Sequence, residues 1–282
     1  MVGVLGVSAS AILVRFSQAP SGVTAAYRLG WTVLLLLPVV LLRCRAELRR
    51  VTARDLVLCG ASGVLLALHF LTWFESLKRT SVASSTVLVS TEVIFTALGF
   101  ALFLHGKIPR LGVWAILLAF GGSALLALSG GGGAGGLSGN LLALAAASAA
   151  AVYTLIGRIQ RGHLSTTVCT FLTYLACFLT LLLGTAAAGT PLTGYGGREW
   201  LIGLALAVLC TLLGHSLFSW CLKYLSPSYV SAAKLCEPVF SSLAAIPLFG
   251  EVPGPLQLAG GAAVLGAVLL YTWAEREKTP AG

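Results

Sequence analysis

Long apolar runs, separated by charged residues, glycines and prolines, make up most of the chain. A helix needs roughly 20 apolar residues to cross a bilayer, and Lys, Arg, Gly and Pro mark where such runs end. The first run, from Val2 to Phe16, is short for a span, and we keep it as the first helix. The pattern predicts ten membrane-spanning helices, at residues 2–18, 23–42, 55–77, 81–104, 110–128, 139–159, 165–187, 199–223, 227–250 and 253–273.

A glycine-rich segment at residues 129–138 divides these helices into two groups of five, and it is predicted to be a flexible connector. A shift of 145 positions aligns the eighth to tenth predicted helices with the third to fifth without gaps. Such a register indicates duplication, with repeats at residues 1–128 and 139–274 and a short tail at 275–282. The aligned pairs are Leu77 and Leu222, Ser81 and Ser226, Glu92 and Glu237, Phe95 and Phe240, Leu98 and Leu243, Gly121 and Gly266, and Leu125 and Leu270.

The number of helices in each repeat determines how the two repeats lie in the membrane. Because five is odd, the second repeat must enter the membrane from the side opposite to the first. We therefore predict an all-α polytopic membrane protein built from two inverted five-helix repeats. In secondary transporters of this kind, the substrate site lies where the repeats meet, near the bilayer midplane.

Composition supports a membrane protein, since 57% of the 282 residues are hydrophobic, 10% are charged and the mean hydropathy is +0.95. The net charge of +9 does not indicate nucleic-acid binding, because the basic residues lie between apolar runs. With the N-terminus inside, the cytoplasmic segments hold Arg43, Arg45, Arg49, Arg50, Arg54, Lys107, Arg110, Arg158, Arg161, Lys223, Arg276 and Lys278, and the outer side only Arg15, Lys78, Arg79 and Arg198. This bias predicts a cell-membrane protein with both termini cytoplasmic.

An enzyme is not predicted. The single aspartate, Asp55, lies at a membrane edge, and neither His69 nor His215 belongs to a local metal-ligand motif. The seven cysteines are scattered without C-x-x-C spacing, so we expect neither a metal site nor a cofactor. A membrane scaffold or lipid-interacting protein without transport activity stays open as the alternative to a transporter.

Ionisable side chains inside the predicted helices are the first candidate site residues, because a charge at the bilayer centre costs about 2.5–3.5 kcal/mol on insertion scales. Lys234 and Glu237 are three residues apart, so they either line a cavity or form a structural pair. Pro238 is predicted to kink the helix at Glu237. Glu92 occupies the equivalent place in the first repeat; it either shares the cavity or is a protonated carboxyl bonded to a nearby Ser or Thr.

Four further side chains are candidates for substrate binding or coupling, each with a simpler explanation. Arg28 could extend to the outer surface as an anchor. His69 and His215 could carry protons, or they could be neutral packing residues. Trp73 could contact a ligand, or it could belong to an interfacial aromatic belt. Protons are therefore a possible coupling ion.

Small residues cluster in the fifth and tenth helices, where they permit close helix packing. They are Gly121, Gly122, Gly260, Gly261, Ala262 and Ala263. These faces are expected to form scaffold or a homodimer contact rather than a substrate site.

Several short motifs resemble those of one known family across nearly the whole chain. They are Ala26-Tyr27-Arg28-Leu29, Phe74-Glu75-Ser76-Leu77-Lys78, Cys236-Glu237-Pro238-Val239-Phe240 and Leu248-Phe249-Gly250-Glu251. With two five-helix units, the chain resembles the EamA-type branch of the drug/metabolite transporter superfamily. The first repeat departs from the pattern, with Gly106-Lys107 where Gly-Glu is common and Glu92-Val93 opposite Glu237-Pro238. The resemblance implies export of a small metabolite or drug by alternating access through a central cavity.

Overall fold

The computed structural model describes residues 2–103, 108, 110–128, 135–160, 164–221 and 236–276, and every regular element in these ranges is helical. The all-α prediction is confirmed for this part of the chain. A π-helical segment, Leu206–His215, joins α10 to α11. The α-helices are α1 (Val2–Phe16), α2 (Ser21–Arg43), α3 (Arg45–Leu48), α4 (Ala53–Arg79), α5 (Val82–Val89), α6 (Glu92–Phe103), α7 (Arg110–Leu128), α8 (Gly135–Gln160), α9 (Thr166–Ala187), α10 (Gly197–Ala205), α11 (Ser216–Cys221), α12 (Cys236–Phe249) and α13 (Pro255–Arg276).

Within the described ranges, six helical stretches are long and apolar enough to cross a membrane. Shorter apolar helices accompany them, among them Gly6–Phe16 and Glu237–Phe249. The protein is therefore a polytopic helical membrane protein. The six long stretches are Ser21–Arg43, Ala53–Arg79, Gly136–Gly157, Thr166–Ala187, Gly197–Phe218 and Pro255–Ala274.

Polar residues at the predicted boundaries determine where several helices begin. Thr52 and Asp55 form a reciprocal capping box at the start of α4. Ser81 and Ser165 cap α5 and α9 by accepting a hydrogen bond from the backbone N–H three residues later. These caps satisfy backbone donors that would otherwise be unpaired at the starts of the helices.

Two irregularities were not predicted. The span expected at 81–104 is interrupted between α5 and α6, where the hydroxyls of Ser90 and Thr91 donate to the backbone carbonyls of Thr86 and Leu88. Such bonds compete with regular helical pairing and bend helices. The π-helical segment is the second irregularity, and the Thr211 hydroxyl donates to the Leu206 carbonyl, five residues earlier, within it.

The predicted connector overlaps a helix, because α8 already begins at Gly135; residues 129–134 lie outside the described residues. The short helix α3, after α2, was also not predicted.

The interior is formed where α1, α2, α4, α9 and the π-helical segment meet. Helix α4 packs on α8 and α9, and α1 packs on the π-helical segment and α12. Helices α7 and α13 pack along each other so closely that a Cβ on Gly122 would lie 2.8 Å from the Gly260 carbonyl oxygen. The close packing predicted for these glycines is confirmed.

Candidate functional site

Arg28 is the most buried charged side chain of the described interior, with no exposed surface. Its Nε donates to the Thr211 hydroxyl at 2.9 Å and its Nη1 to the Ser10 hydroxyl at 3.1 Å. The interpretation of Arg28 as a surface anchor is therefore wrong. A residue about two turns into α2 faces the neighbouring helices rather than lipid, and Ser10 and Thr211 hold its guanidinium inward.

Phe70 lies at the centre of this region. The Arg28 guanidinium lies over the Phe70 ring, 4.3 Å from its centroid. The ring centroids of His69 and His215 lie 5.1 and 6.4 Å from that of Phe70. Phe70 thus connects three residues that were predicted separately from different parts of the sequence.

His69 and Trp73, one helical turn apart on α4, stack with their ring centroids 5.8 Å apart. Because a carbonyl can only accept, His69 Nδ1 donates to the Ala146 oxygen at 3.0 Å. Trp73 is only 3% exposed. An interfacial belt position is therefore wrong for Trp73, which is part of the protein interior.

Glu237 lies in the first turn of α12 and within electrostatic range of Arg28, although no salt bridge joins them. The buried residues Tyr174, Cys177 and Cys210 also surround the guanidinium. Lys234 and the part of the predicted helix before Cys236 lie outside the described residues, so the kink predicted at Pro238, in the first turn of α12, stays a prediction. We call Arg28, His69, Phe70, Trp73, His215 and Glu237 the Arg28 cluster.

Glu92 has a different environment at the start of α6. Its carboxylate accepts a hydrogen bond from the Thr154 hydroxyl at 2.9 Å. The expected bond to a nearby hydroxyl residue is present, and no described contact joins Glu92 to the Arg28 cluster. A water-sized cavity of about 10 Å³ lies between α6, α7 and α8, lined by Thr91 and Ser123 among others, and none of the predicted site residues lines it.

A polar network closes one end of the helix bundle. Arg15 at the end of α1 forms a salt bridge of 2.7 Å with Glu251, which follows α12, and also donates to the carbonyls of Leu77 and Thr80. Glu251 accepts a bond from the Val82 N–H, at the start of α5. The Gly250-Glu251 motif therefore joins the ends of α1, α4 and α12 to the beginning of α5.

Sequence reasoning missed Phe70, Ser10, Thr211 and Tyr174, all of which are buried around Arg28. Ser10 and Thr211 carry a weak signal, because each is a polar residue inside an apolar run. Phe70 carries none, since an aromatic residue in such a run is ordinary. Its position appears only when α2, α4 and the π-helical segment are packed together.

Comparison with known proteins decides the family. The model of the EamA-like transporter family matches residues 1–128 and again residues 137–273. The chain belongs to the EamA-like transporter family. The resemblance inferred from the motifs is therefore confirmed, and membership points to a transporter rather than an enzyme.

Individual relatives are distant. The pseudopaline exporter CntI of Pseudomonas aeruginosa strain UCBPP-PA14 is 24% identical over 207 residues, which cover 73% of this chain and 72% of that protein. The protein of the same name from strain PAO1 matches with the same identity and coverage. A crystal structure described only as that of a protein matches with a TM-score of 0.64 and 19% identity, over 96% of this chain and 94% of the other. That likeness concerns the fold alone.

Proposed function

We propose that this EamA-family protein is a secondary transporter that exports small metabolites, such as amino acids or related compounds, or drugs across the cytoplasmic membrane. Alternating access moves the substrate past the Arg28 cluster. The observation that carries this proposal is convergence: five of the seven predicted site residues, from both predicted repeats, meet around Phe70 and Arg28. A scaffold has no need for an arginine, two histidines and a glutamate in its interior, where such groups are costly.

Helix positions support two related halves. Helices α2 and α9 begin at Ser21 and Thr166, and α7 and α13 begin at Arg110 and Pro255, so both pairs are offset by the 145 residues of the sequence register. The packing follows the same relation. Helix α1 packs on the π-helical segment as α8 packs on α4, and α1 packs on α12 as α8 packs on α6.

A pseudo-twofold relation between the halves is supported by positions that contact their own equivalents. His215 corresponds to Phe70 under the 145-residue shift, and these two rings touch. Helices α2 and α9, and α7 and α13, are likewise equivalent pairs that pack together. A pseudo-twofold axis between the halves brings equivalent elements into contact in this way, and transporters bind substrate near such an axis.

The name of the distant relative, an exporter, favours outward transport. Proton coupling is proposed because Glu237, His69 and His215 are the titratable groups at the centre of the cluster. Homodimerisation through the small-residue helices remains a proposal as well.

Transport by purified protein in liposomes tests the function. Cells that overproduce the chain are screened for export of amino acids, other metabolites and toxic analogues, and each hit is followed in sealed vesicles. We expect Glu237→Gln to reduce transport at least tenfold while expression and folding stay normal, because the carboxylate near Arg28 is lost. The control is Glu47→Gln, whose amide oxygen can still accept the hydrogen bond from the Ser165 N–H.

Unchanged transport by Glu237→Gln would remove Glu237 from the mechanism. Failure of the wild-type protein to move any compound of the panel, in cells and in vesicles, would favour the scaffold alternative. A pH gradient is imposed on the same vesicles, and a transport rate that does not change with the gradient would contradict proton coupling.

A further inference from the structure

The Arg28 guanidinium has an incomplete set of partners. Among the described residues it forms no ion pair, and Nη2 donates no hydrogen bond although it is fully buried. Nε and one N–H of Nη1 are used by Thr211 and Ser10, and the Phe70 ring covers one face. Since a guanidinium carries five N–H donors, three remain, two on Nη2 and one on Nη1.

These remaining donors have the geometry that a carboxylate requires. Two oxygen atoms of one carboxylate can accept from adjacent guanidinium N–H groups in parallel, and such bidentate pairs are stronger than hydrogen bonds between neutral groups. A buried donor without an acceptor is costly, so a ligand that supplies the acceptor recovers that cost on binding. Glu237 partly offsets the positive charge from a distance, without a salt bridge to Arg28.

We propose that Nη2 of Arg28 is the docking point for the carboxylate of an organic acid substrate. The proposal rests on the transport function above and names the class of compound that the Arg28 cluster takes. Ser10 and Thr211 position the guanidinium, so that its free edge is fixed before the substrate arrives.

The residues around Arg28 indicate the chemistry of the rest of that substrate, beyond its carboxylate. Buried rings of Phe70, Trp73, Phe74 and Tyr174 lie in the same core region, and the Trp73 indole N–H also has no acceptor among the described residues. A compound with one carboxylate, an apolar or aromatic body and one further acceptor therefore suits the site. The guanidinium has no exposed surface, so this conformation is closed around it.

Equilibrium binding to the purified full-length protein in nanodiscs tests the proposal independently of transport. The probes are matched acids and neutral amides: benzoate and benzamide, N-acetyl-L-phenylalanine and its amide, and succinate and succinamide. We expect the acid to bind ten- to a hundredfold more tightly than the amide in at least one aromatic pair. Hydrogen bonds to a charged group usually raise affinity by this factor.

Variants assign that preference to Arg28. Arg28→Gln is expected to reduce the acid-to-amide ratio to about one, because acid binding weakens much more than amide binding. Arg28→Lys keeps the charge but loses the planar fork, so an intermediate ratio is expected. The control is Arg79→Gln, at an exposed arginine already paired with Glu75.

Amides that bind as tightly as the acids, in every pair, would overturn the proposal, and so would an Arg28→Gln protein that keeps the acid preference. The wild-type comparison is decisive even if Arg28→Gln fails to fold. Acid-selective binding by a protein that transports nothing would uphold the carboxylate site and contradict the transport function. Transport of neutral or cationic compounds alone, with no acid preference in binding, would uphold the transport function and contradict the carboxylate site.

Discussion

Phe70 has no polar atoms, yet it contacts three residues of the candidate site, Arg28, His69 and His215. Its ring packs against Arg28, His69, Phe74 and His215. The negative face of the ring attracts the guanidinium, and this attraction is stronger away from water. Phe70 therefore has both a packing role and an electrostatic one.

Phe70→Leu keeps an apolar side chain at this position but removes the ring, so it tests the aromatic contacts separately from burial of apolar surface. We expect a loss of about 2–3 kcal/mol in the free energy of unfolding, because a desolvated cation–π contact is worth up to about 2 kcal/mol and the ring pairs add to it. Denaturation by SDS in mixed micelles measures the change. The same substitution at Phe120, which is half exposed on α7 and forms only an edge-to-face contact with Phe95, should cost about 1 kcal/mol or less. Equal losses at the two positions would contradict a special role for Phe70.

Single residues were the least predictable part of the site from sequence. Arg28 and Trp73 lie where snorkelling and an aromatic belt are reasonable expectations, and both expectations failed because neighbouring helices cover these positions. Hydropathy locates a residue along its helix but not around it. The direction in which a side chain points depends on which helices pack on either side.

At the scale of helices, α7 and α13 pack closely through small residues, as the small-residue pattern predicted. Adjacent glycines of α7 have opposite surroundings. A Cβ on Gly122 would lie 2.8 Å from the Gly260 oxygen and 2.9 Å from the Ala263 Cβ, whereas a Cβ on Gly121 meets no atom within 4 Å.

Gly122→Ala is therefore expected to destabilise the protein by about 1–3 kcal/mol, because the two helices must separate to fit the methyl group. Gly121→Ala adds the same methyl group on the open face and gains helix propensity, so it should be neutral or stabilising by up to about 1 kcal/mol. Thermal unfolding of both purified variants measures the difference. Equal melting temperatures would mean that α7 and α13 do not pack through Gly122.

Helix positions were predicted well and helix irregularities were not. Long apolar runs bounded by charges and breakers give α2, α4, α9 and α13 to within a few residues of their observed ends. The break at Ser90 and the π-helical segment depend on single hydrogen bonds between side chain and backbone or on tertiary packing. Neither changes the hydropathy of the run in which it occurs.

For the whole molecule, hydrogen bonds between distant connections show which helix ends lie together. Arg15 contacts Glu251, Ser17 contacts Glu199, and Thr80 contacts Asn140, so the chain near the ends of α1, α4 and α12 and the starts of α8 and α10 gathers at one end. Glu47 accepts a bond from Ser165 N–H, which joins the end of α2 to the start of α9. With α2 running about 35 Å between these two groups, the connections form two separate layers.

Thiol labelling tests which layer faces the cytoplasm. The excess of Lys and Arg after α2 predicts that this layer is cytoplasmic. The seven native cysteines are first replaced by serine or alanine, and then Thr193→Cys, in the exposed loop after α9, or Ala46→Cys, in the exposed helix α3, is introduced. A membrane-impermeant maleimide added to spheroplasts should label the Thr193→Cys protein at once and the Ala46→Cys protein only after permeabilisation. The opposite pattern would reverse the predicted orientation, while labelling of both from outside would contradict the two-layer arrangement on which the proposed alternating access depends.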